Sequence, residues 1–275
     1  MLYVLLISQR KIYQDNYFYQ FYIIDLLASF YDSFLDLIFA RFFMYITPLC
    51  DIIGPFFFDF SIFLQVTNVL YDYCRAMKSV TQVLLTSNRM TCVIFPLQHK
   101  KIWKSNFKVI VTLTFLAPIL IIWNEAISRN YMVANFGGFH VNHKKLVAWA
   151  SLSKFQLSFI TVALVITAVN TFLTLYGLQN MAHRVKTTER NLCITSFMNS
   201  FGFLCAGVFQ FVFAFCTTCN FSLLFGVQFL TFDLINIGSP LMMVIMNAEL
   251  RSHVFNIKIM RKSTRISVML SHSGS

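Results

Sequence analysis

The sequence predicts an all-α, polytopic membrane helix bundle with six complete spans plus a truncated first helix, and three observations predict it. Of 275 residues, 57% are hydrophobic and only 12% charged, at a mean hydropathy of +0.65, which is too little charge for a soluble domain of this length. Six apolar stretches reach the ~20 residues that a helix needs to cross a bilayer. Lys and Arg fall mostly in every second gap between those stretches, the asymmetry expected when basic loops stay on the cytosolic side.

Residues 1–7 are apolar and are followed by Arg10 and Lys11. They are too short to span, and with no basic segment before them and no small-residue cleavage site after them they do not read as a signal peptide. They read as the C-terminal end of a first helix whose beginning is missing. The complete spans follow at 17–39, 66–85, 107–127, 152–178, 192–215 and 223–246. Residues 42–65 are also largely apolar, but Pro48, Gly54 and Pro55 interrupt them and Asp51 and Asp59 add charge. A span there would carry the basic cluster from Arg89 to Lys108 outside, so the segment is expected to be a long outer connection lying partly in the interface. The chain then divides into a bundle, 1–246, and a cytosolic, basic, Ser-rich tail, 247–275.

The orientation rests on the basic residues. Arg10 and Lys11, then Arg89, Lys100, Lys101, Lys104 and Lys108, then Arg184, Lys186 and Arg190, and finally Arg251, Lys258, Arg261, Lys262 and Arg265 fall on one side. The opposite loops carry Arg41, Arg129, Lys144 and Lys145. The first group is therefore assigned to the cytosol, where most of the formal +11 charge meets anionic lipid and any cytosolic partner.

No P-loop, G-x-G-x-x-G, H-E-x-x-H or G-x-S-x-G motif is present, so no enzyme and no cofactor is expected, and nothing points to nucleic acid. Of the seven cysteines, Cys74, Cys92, Cys193 and Cys205 lie in or near spans and read as packing residues. Cys50, Cys216 and Cys219 fall near the outer side, where one disulfide could form. His140 and His143 lack companions for a metal site. Asn220 opens a glycosylation sequon close to the membrane.

The informative chemistry is the charge inside the spans. Each such charge costs about 2.5–3.5 kcal/mol at the bilayer centre on insertion scales, so Asp25, Asp32, Asp36, Asp72, Arg75, Lys78 and Asp233 are expected to face inward and pair. Asp25, Asp32 and Asp36 share one helical face, and Tyr71, Arg75, Lys78, Gln82, Leu85 and Arg89 form another stripe. Counting helical rise from the inner boundary brings Asp32, Arg75 and Asp233 to similar depth. The expected network is Asp25, Asp32, Arg75, Lys78 and Asp233. Milder polar stripes, Gln156, Thr167, Asn170 and Thr174 and then Asn199, Gly202, Ala206 and Gln210, read as helix packing.

The run from Leu84 to Thr91 (LLTSNRMT), with Phe95-Pro96-Leu97 and Lys100-Lys101-Ile102-Trp103 after it, resembles the junction after the third helix in nematode serpentine chemoreceptors of the Srg superfamily, nearest to its srv class. Gly137-Gly138-Phe139, Thr188-Glu189-Arg190-Asn191-Leu192, and Asp233-Leu234 through Ser239-Pro240 add to the likeness. The resemblance implies a G-protein-coupled-receptor-like, multi-pass protein of the plasma membrane, with a cytosolic C-terminus and a sensory cilium as its site. It implies a small-molecule ligand held by Asp32, Asp72, Arg75, Trp123 and Asp233. Contact with a heterotrimeric G protein would fall to Arg89, Pro96, Lys100, Lys101 and Trp103 with Arg184, Lys186 and Arg190. The alternatives are an ion-coupled transporter, for which inverted repeats and paired broken helices are not evident, and an inactive receptor fragment lacking most of helix one. Several familiar receptor features differ here: Asn88 precedes Arg89, the sixth helix has no Pro or Trp, and residues 128–150 hold no cysteine.

Overall fold

Polar residues line the inside of the helices, and apolar residues line the outside. On the helix Leu152–Leu178, for example, Val162, Val165, Val169 and Phe172 are exposed while Gln156, Thr167, Asn170 and Thr174 are buried. Such an exterior would aggregate in water; it suits a hydrocarbon surround. The computed structural model describes residues 1–8, 13, 16–46, 61–135, 138–144, 146–147, 149–179, 183–216 and 221–255, with single positions at 52, 56 and 59.

After a π-helical turn at Val4–Ser8, the first long helix is α1, Tyr17–Leu35, which runs on through a π-helical segment, Asp36–Phe42, to a last turn at Phe43–Tyr45. Asn16 caps its start, its side chain accepting from the Phe18 N–H at 3.0 Å. Next, α2 (Ile62–Ile94) is capped by Ser61. Two helices follow, α3 (Pro96–Leu116) and α4 (Ile119–Ile127), which form one rod broken at Pro118, a residue with no N–H to continue the ladder. Then come β1 (Arg129–Asn135), β2 (Gly138–Lys144), α5 (Leu152–Leu178) and α6 (His183–Phe215). The chain closes with α7 (Phe221–Asp233), a second π-helical segment at Leu234–Gly238, α8 (Ser239–Met246) and α9 (Ala248–Val254).

Among the described residues, four helical stretches are long and apolar enough to cross a membrane: Pro96–Ile127, Leu152–Leu178, Ile194–Phe215 and Gly226–Met246. The helices α1 and α2 are of sufficient length, but Asp25, Asp32 and Asp36 on the first and its π-helical continuation, and Asp72, Arg75 and Lys78 on the second, depress their apolar character. Those charges are turned toward each other, since α2 is the hub of the bundle, packed along α1 on one side and α5 on another, with α3, α4 and α6 also against it.

One feature departs from an all-helical fold. Residues 129–144 of the expected outer loop form an antiparallel hairpin whose register runs from Arg129 opposite Lys144 to Asn135 opposite Gly138. Met132 and Phe139 of the hairpin pack with Phe43 and Leu64, fastening it across the ends of α1 and α2. Gly138 permits this approach, because a Cβ there would stand 2.2 Å from the Phe43 carbonyl oxygen and 2.6 Å from that of Met44. Both obstacles are backbone atoms, so Gly138→Ala is expected to lift the hairpin and cost about 1–3 kcal/mol, the usual penalty for overpacking. A lowered melting temperature of the purified protein would register it, and an unchanged one would refute it.

A second core cluster at the opposite end joins Leu5, Phe21, Leu26, Trp103, Met243 and Leu250. The segment after residue 246 begins as the short helix α9, capped by the Asn247 side chain, and Tyr13 bonds His253 at 2.8 Å. Residues 256–275 lie outside those described.

Candidate functional site

Helical spacing puts Asp25, Ser29 and Asp32 of α1, and Asp36 at the start of its π-helical continuation, against Tyr71, Arg75, Lys78 and Thr81 of α2, and two ion-pair groups result. In the inner one, Lys78 Nζ stands 3.3 Å from Asp25 Oδ2 and donates to Ser29 Oγ, while Thr81 Oγ1 donates to Asp25 Oδ1 at 2.7 Å. In the outer one, the Arg75 guanidinium lies between the rings of Tyr71 and Phe232, 3.7 Å from each centroid. It reaches Asp32 at 3.3 Å and Asp36 at 3.4 Å. Asp32 also accepts from Asn236 of the second π-helical segment, and Asp36 from the Tyr71 hydroxyl.

Asp233 does not join Arg75. Arg41 takes it instead, with bidentate contacts of 2.7 and 3.0 Å, and also meets Asp36 at 2.6 Å. Sequence reading places Arg41 in an outer loop because it ends the first span at residue 39. The helix in fact continues to Tyr45, and its π-helical turn brings residues five apart, Asp36 and Arg41, together.

A cavity of about 630 Å³ opens beside this network, roofed by the β-hairpin. Asp72 and Arg75 line it, whereas Asp32, Trp123 and Asp233 do not. Trp123 packs instead with Trp149 and Phe155, at centroid distances of 6.0 and 6.3 Å. On the same short helix Glu125 turns inward, 1% exposed, and accepts from the Asn68 side chain. Asp72 accepts from Gln156 at 3.0 Å, so a residue of the α5 polar stripe serves the cavity. Gln210 of the α6 stripe lines it as well, while Asn199 bonds Gln82 at 3.1 Å and Gly202 lets α6 approach Ile235. His140 and His143 lie in the wall, and burial pushes the His140 imidazole below its usual value, keeping it neutral at pH 7.

Glu125 was not singled out from the sequence; the signal available was the polar pair Asn124-Glu125 in an otherwise apolar run, one residue past the tryptophan. In the structure Glu125 faces α2, where it accepts from Asn68.

At the opposite end, Pro96, Lys100 and Lys101 are exposed. Trp103 is 3% exposed and donates to Thr91 Oγ1 at 2.8 Å, and Arg89 is 6% exposed with its guanidinium 4.4 Å from the Phe18 ring centroid. Both therefore hold the junction together rather than stand on its surface. The side chains of Arg184, Lys186 and Arg190 lie outside those described, as do Arg10, Lys11, Cys50, Cys219 and Asn220. Cys216 is disulfide-bonded, and Cys74 and Cys205 are free thiols. Among the described residues no cluster of His, Cys, Asp or Glu has the makings of a metal site.

A family model described as Srg family chemoreceptor matches residues 1–254. Serpentine receptor class gamma-5 of Caenorhabditis elegans is 39% identical over 269 residues, covering 96% of this chain and 83% of the relative. Serpentine receptor class gamma-11 of the same organism is 40% identical over 255 residues, covering 92% of this chain and 76% of the relative. These relatives carry the class gamma label, where the junction motif had suggested the srv class.

Proposed function

The chain belongs to the Srg family of chemoreceptors, and from that premise we propose that it is a G-protein-coupled chemosensory receptor of the plasma membrane. A small molecule binds from the outer side, and a heterotrimeric G protein is activated at the inner face. The relatives bear the names of receptors, not of enzymes. In this reading α1 and α2 join the four apolar stretches as spans, the C-terminus is cytosolic, and the protein serves in a sensory cilium.

The observation that carries the reading is the position of α2. One end of this helix lines the cavity with Asp72 and Arg75, and its other end leads directly into the exposed Pro96, Lys100 and Lys101 of α3. A ligand that shifts the ion pairs of Arg75 thereby moves a helix whose inner end adjoins a basic surface, a two-state element biased from one side and read from the other. By family likeness, the same reading assigns G-protein contact to Arg184, Lys186 and Arg190 as well.

Nucleotide exchange on a G protein reconstituted with the receptor tests this. Lys100→Glu with Lys101→Glu is expected to lower ligand-evoked exchange by about tenfold or more, since reversing rim charges acts on encounter and orientation, while ligand binding is unchanged. Exchange at the parental level would remove the α3 lysines from the interface. Ligand-evoked ion flux without any G protein would replace the receptor reading with a transporter or channel.

A further inference from the structure

The charges around the cavity do not balance. Among the described residues, three cations, Arg41, Arg75 and Lys78, are set among six carboxyl groups, Asp25, Asp32, Asp36, Asp72, Glu125 and Asp233. All three cations are engaged by Asp25, Asp32, Asp36 and Asp233. The two carboxyl groups left over, Asp72 and Glu125, are the ones that face the cavity.

These two lie on facing helices, α2 and α4, and both line the same cavity. Each has an amide donor, Gln156 for Asp72 and Asn68 for Glu125. Glu125 Oε2, however, is buried and receives no hydrogen bond. Two carboxylates placed together are both acceptors, so the site lacks a donor and carries surplus negative charge. Around it Phe39, Phe213, Phe229 and Leu64 supply apolar wall, and a lone inorganic cation would use none of that surface.

We propose that the cavity selects an organic cation, a primary or secondary ammonium attached to a small apolar or aromatic body, whose N–H groups donate to Asp72 and to Glu125 Oε2. The proposal rests on the receptor reading only for its biological sense; the binding chemistry stands apart from signalling. The remaining groups near the pair are Arg75 and Asp32 across α2 and α1, and His140 and His143 from the hairpin.

The test uses full-length receptor in lipid nanodiscs and three probes on one carbon skeleton: 2-phenylethylamine, 2-phenylethanol and phenylacetate. The amine is expected to raise the melting temperature and to bind at least about tenfold more tightly than the alcohol, with phenylacetate weakest, because a buried acceptor rejects ligands that leave it unpaired. Glu125→Gln is expected to weaken the amine by about tenfold or more and leave the alcohol unchanged. Asp72→Asn serves as the second variant should the first fail to fold.

Equal binding of amine and alcohol, preference for phenylacetate, protection by sodium chloride alone matching that of the amine, or the absence of saturable amine binding would each overturn the proposal. Amine binding without nucleotide exchange would count against the receptor reading and leave the ligand class standing. Exchange driven by phenylacetate or the alcohol would do the reverse.

Discussion

Arg75→Ala is expected to cost about 3–5 kcal/mol of bundle stability, the range for stripping one partner from a buried ion pair. The two carboxyl groups it leaves differ in what remains to them. Asp36 keeps Arg41 and the Tyr71 hydroxyl, whereas Asp32 keeps only the Asn236 amide. Adding Asp32→Asn should therefore restore much of the lost stability, and adding Asp36→Asn should restore little. Thermal unfolding followed by fluorescence-detected size exclusion, with surface expression alongside, reads all three proteins. Equal recovery from the two aspartate changes would mean that Arg75 does not discriminate between them in the way the distances of 3.3 and 3.4 Å and the surrounding donors require.

Lys78→Met should be as damaging on its own, about 3–5 kcal/mol, because Asp25 is 4% exposed and would retain only the Thr81 hydroxyl as a side-chain donor. The contrast lies in the repair. Lys78 forms an ion pair with Asp25 alone among the described residues, so Lys78→Met combined with Asp25→Leu removes a closed unit, and replacing a buried pair by apolar residues of similar size is often neutral or stabilising. The double variant is expected to melt within a few degrees of the parent. A double variant as unstable as Lys78→Met alone would show that the lysine holds the bundle through Ser29, its other partner.

How much of this could be read in advance depends on which physical signal carried it. Apolar runs and loop charge are local and strong, so the helix bounds at 152–178 agree with Leu152–Leu178 to the residue. Depth counting along two helical stripes of opposite charge brings Asp32 to Arg75, which do meet, but it also brings Asp233 there, which does not, and it does not pair Asp25 with Lys78. Arg41, Glu125 and the hairpin were harder for a common reason. Each depends on a departure from regular helix: a π-helical turn that extends α1, a proline that breaks the rod ahead of α4, and a glycine that lets a strand lie against carbonyl oxygens. Period counting assumes uniform geometry, and it misplaces side chains just beyond such points. Arg89 and Trp103 show the converse case, since family likeness suggested contact with a partner while packing against Phe18, Phe21 and Thr91 encloses them.

The matched charges on the first two long helices also constrain how the protein is made. At about 2.5–3.5 kcal/mol for each charged residue near a helix centre, Asp25, Asp32 and Asp36 make the first helix a poor candidate to leave the translocation channel by itself, and Asp72, Arg75 and Lys78 do the same for the second. Once both have emerged from the ribosome, the pairs Lys78 with Asp25 and Arg75 with Asp32 remove much of that penalty at a single step. With α1 and α2 as spans, as proposed above, the two are expected to enter lipid together as a helical hairpin, and a nascent chain halted between them is expected to hold its first long helix at the channel until the cations of the second arrive.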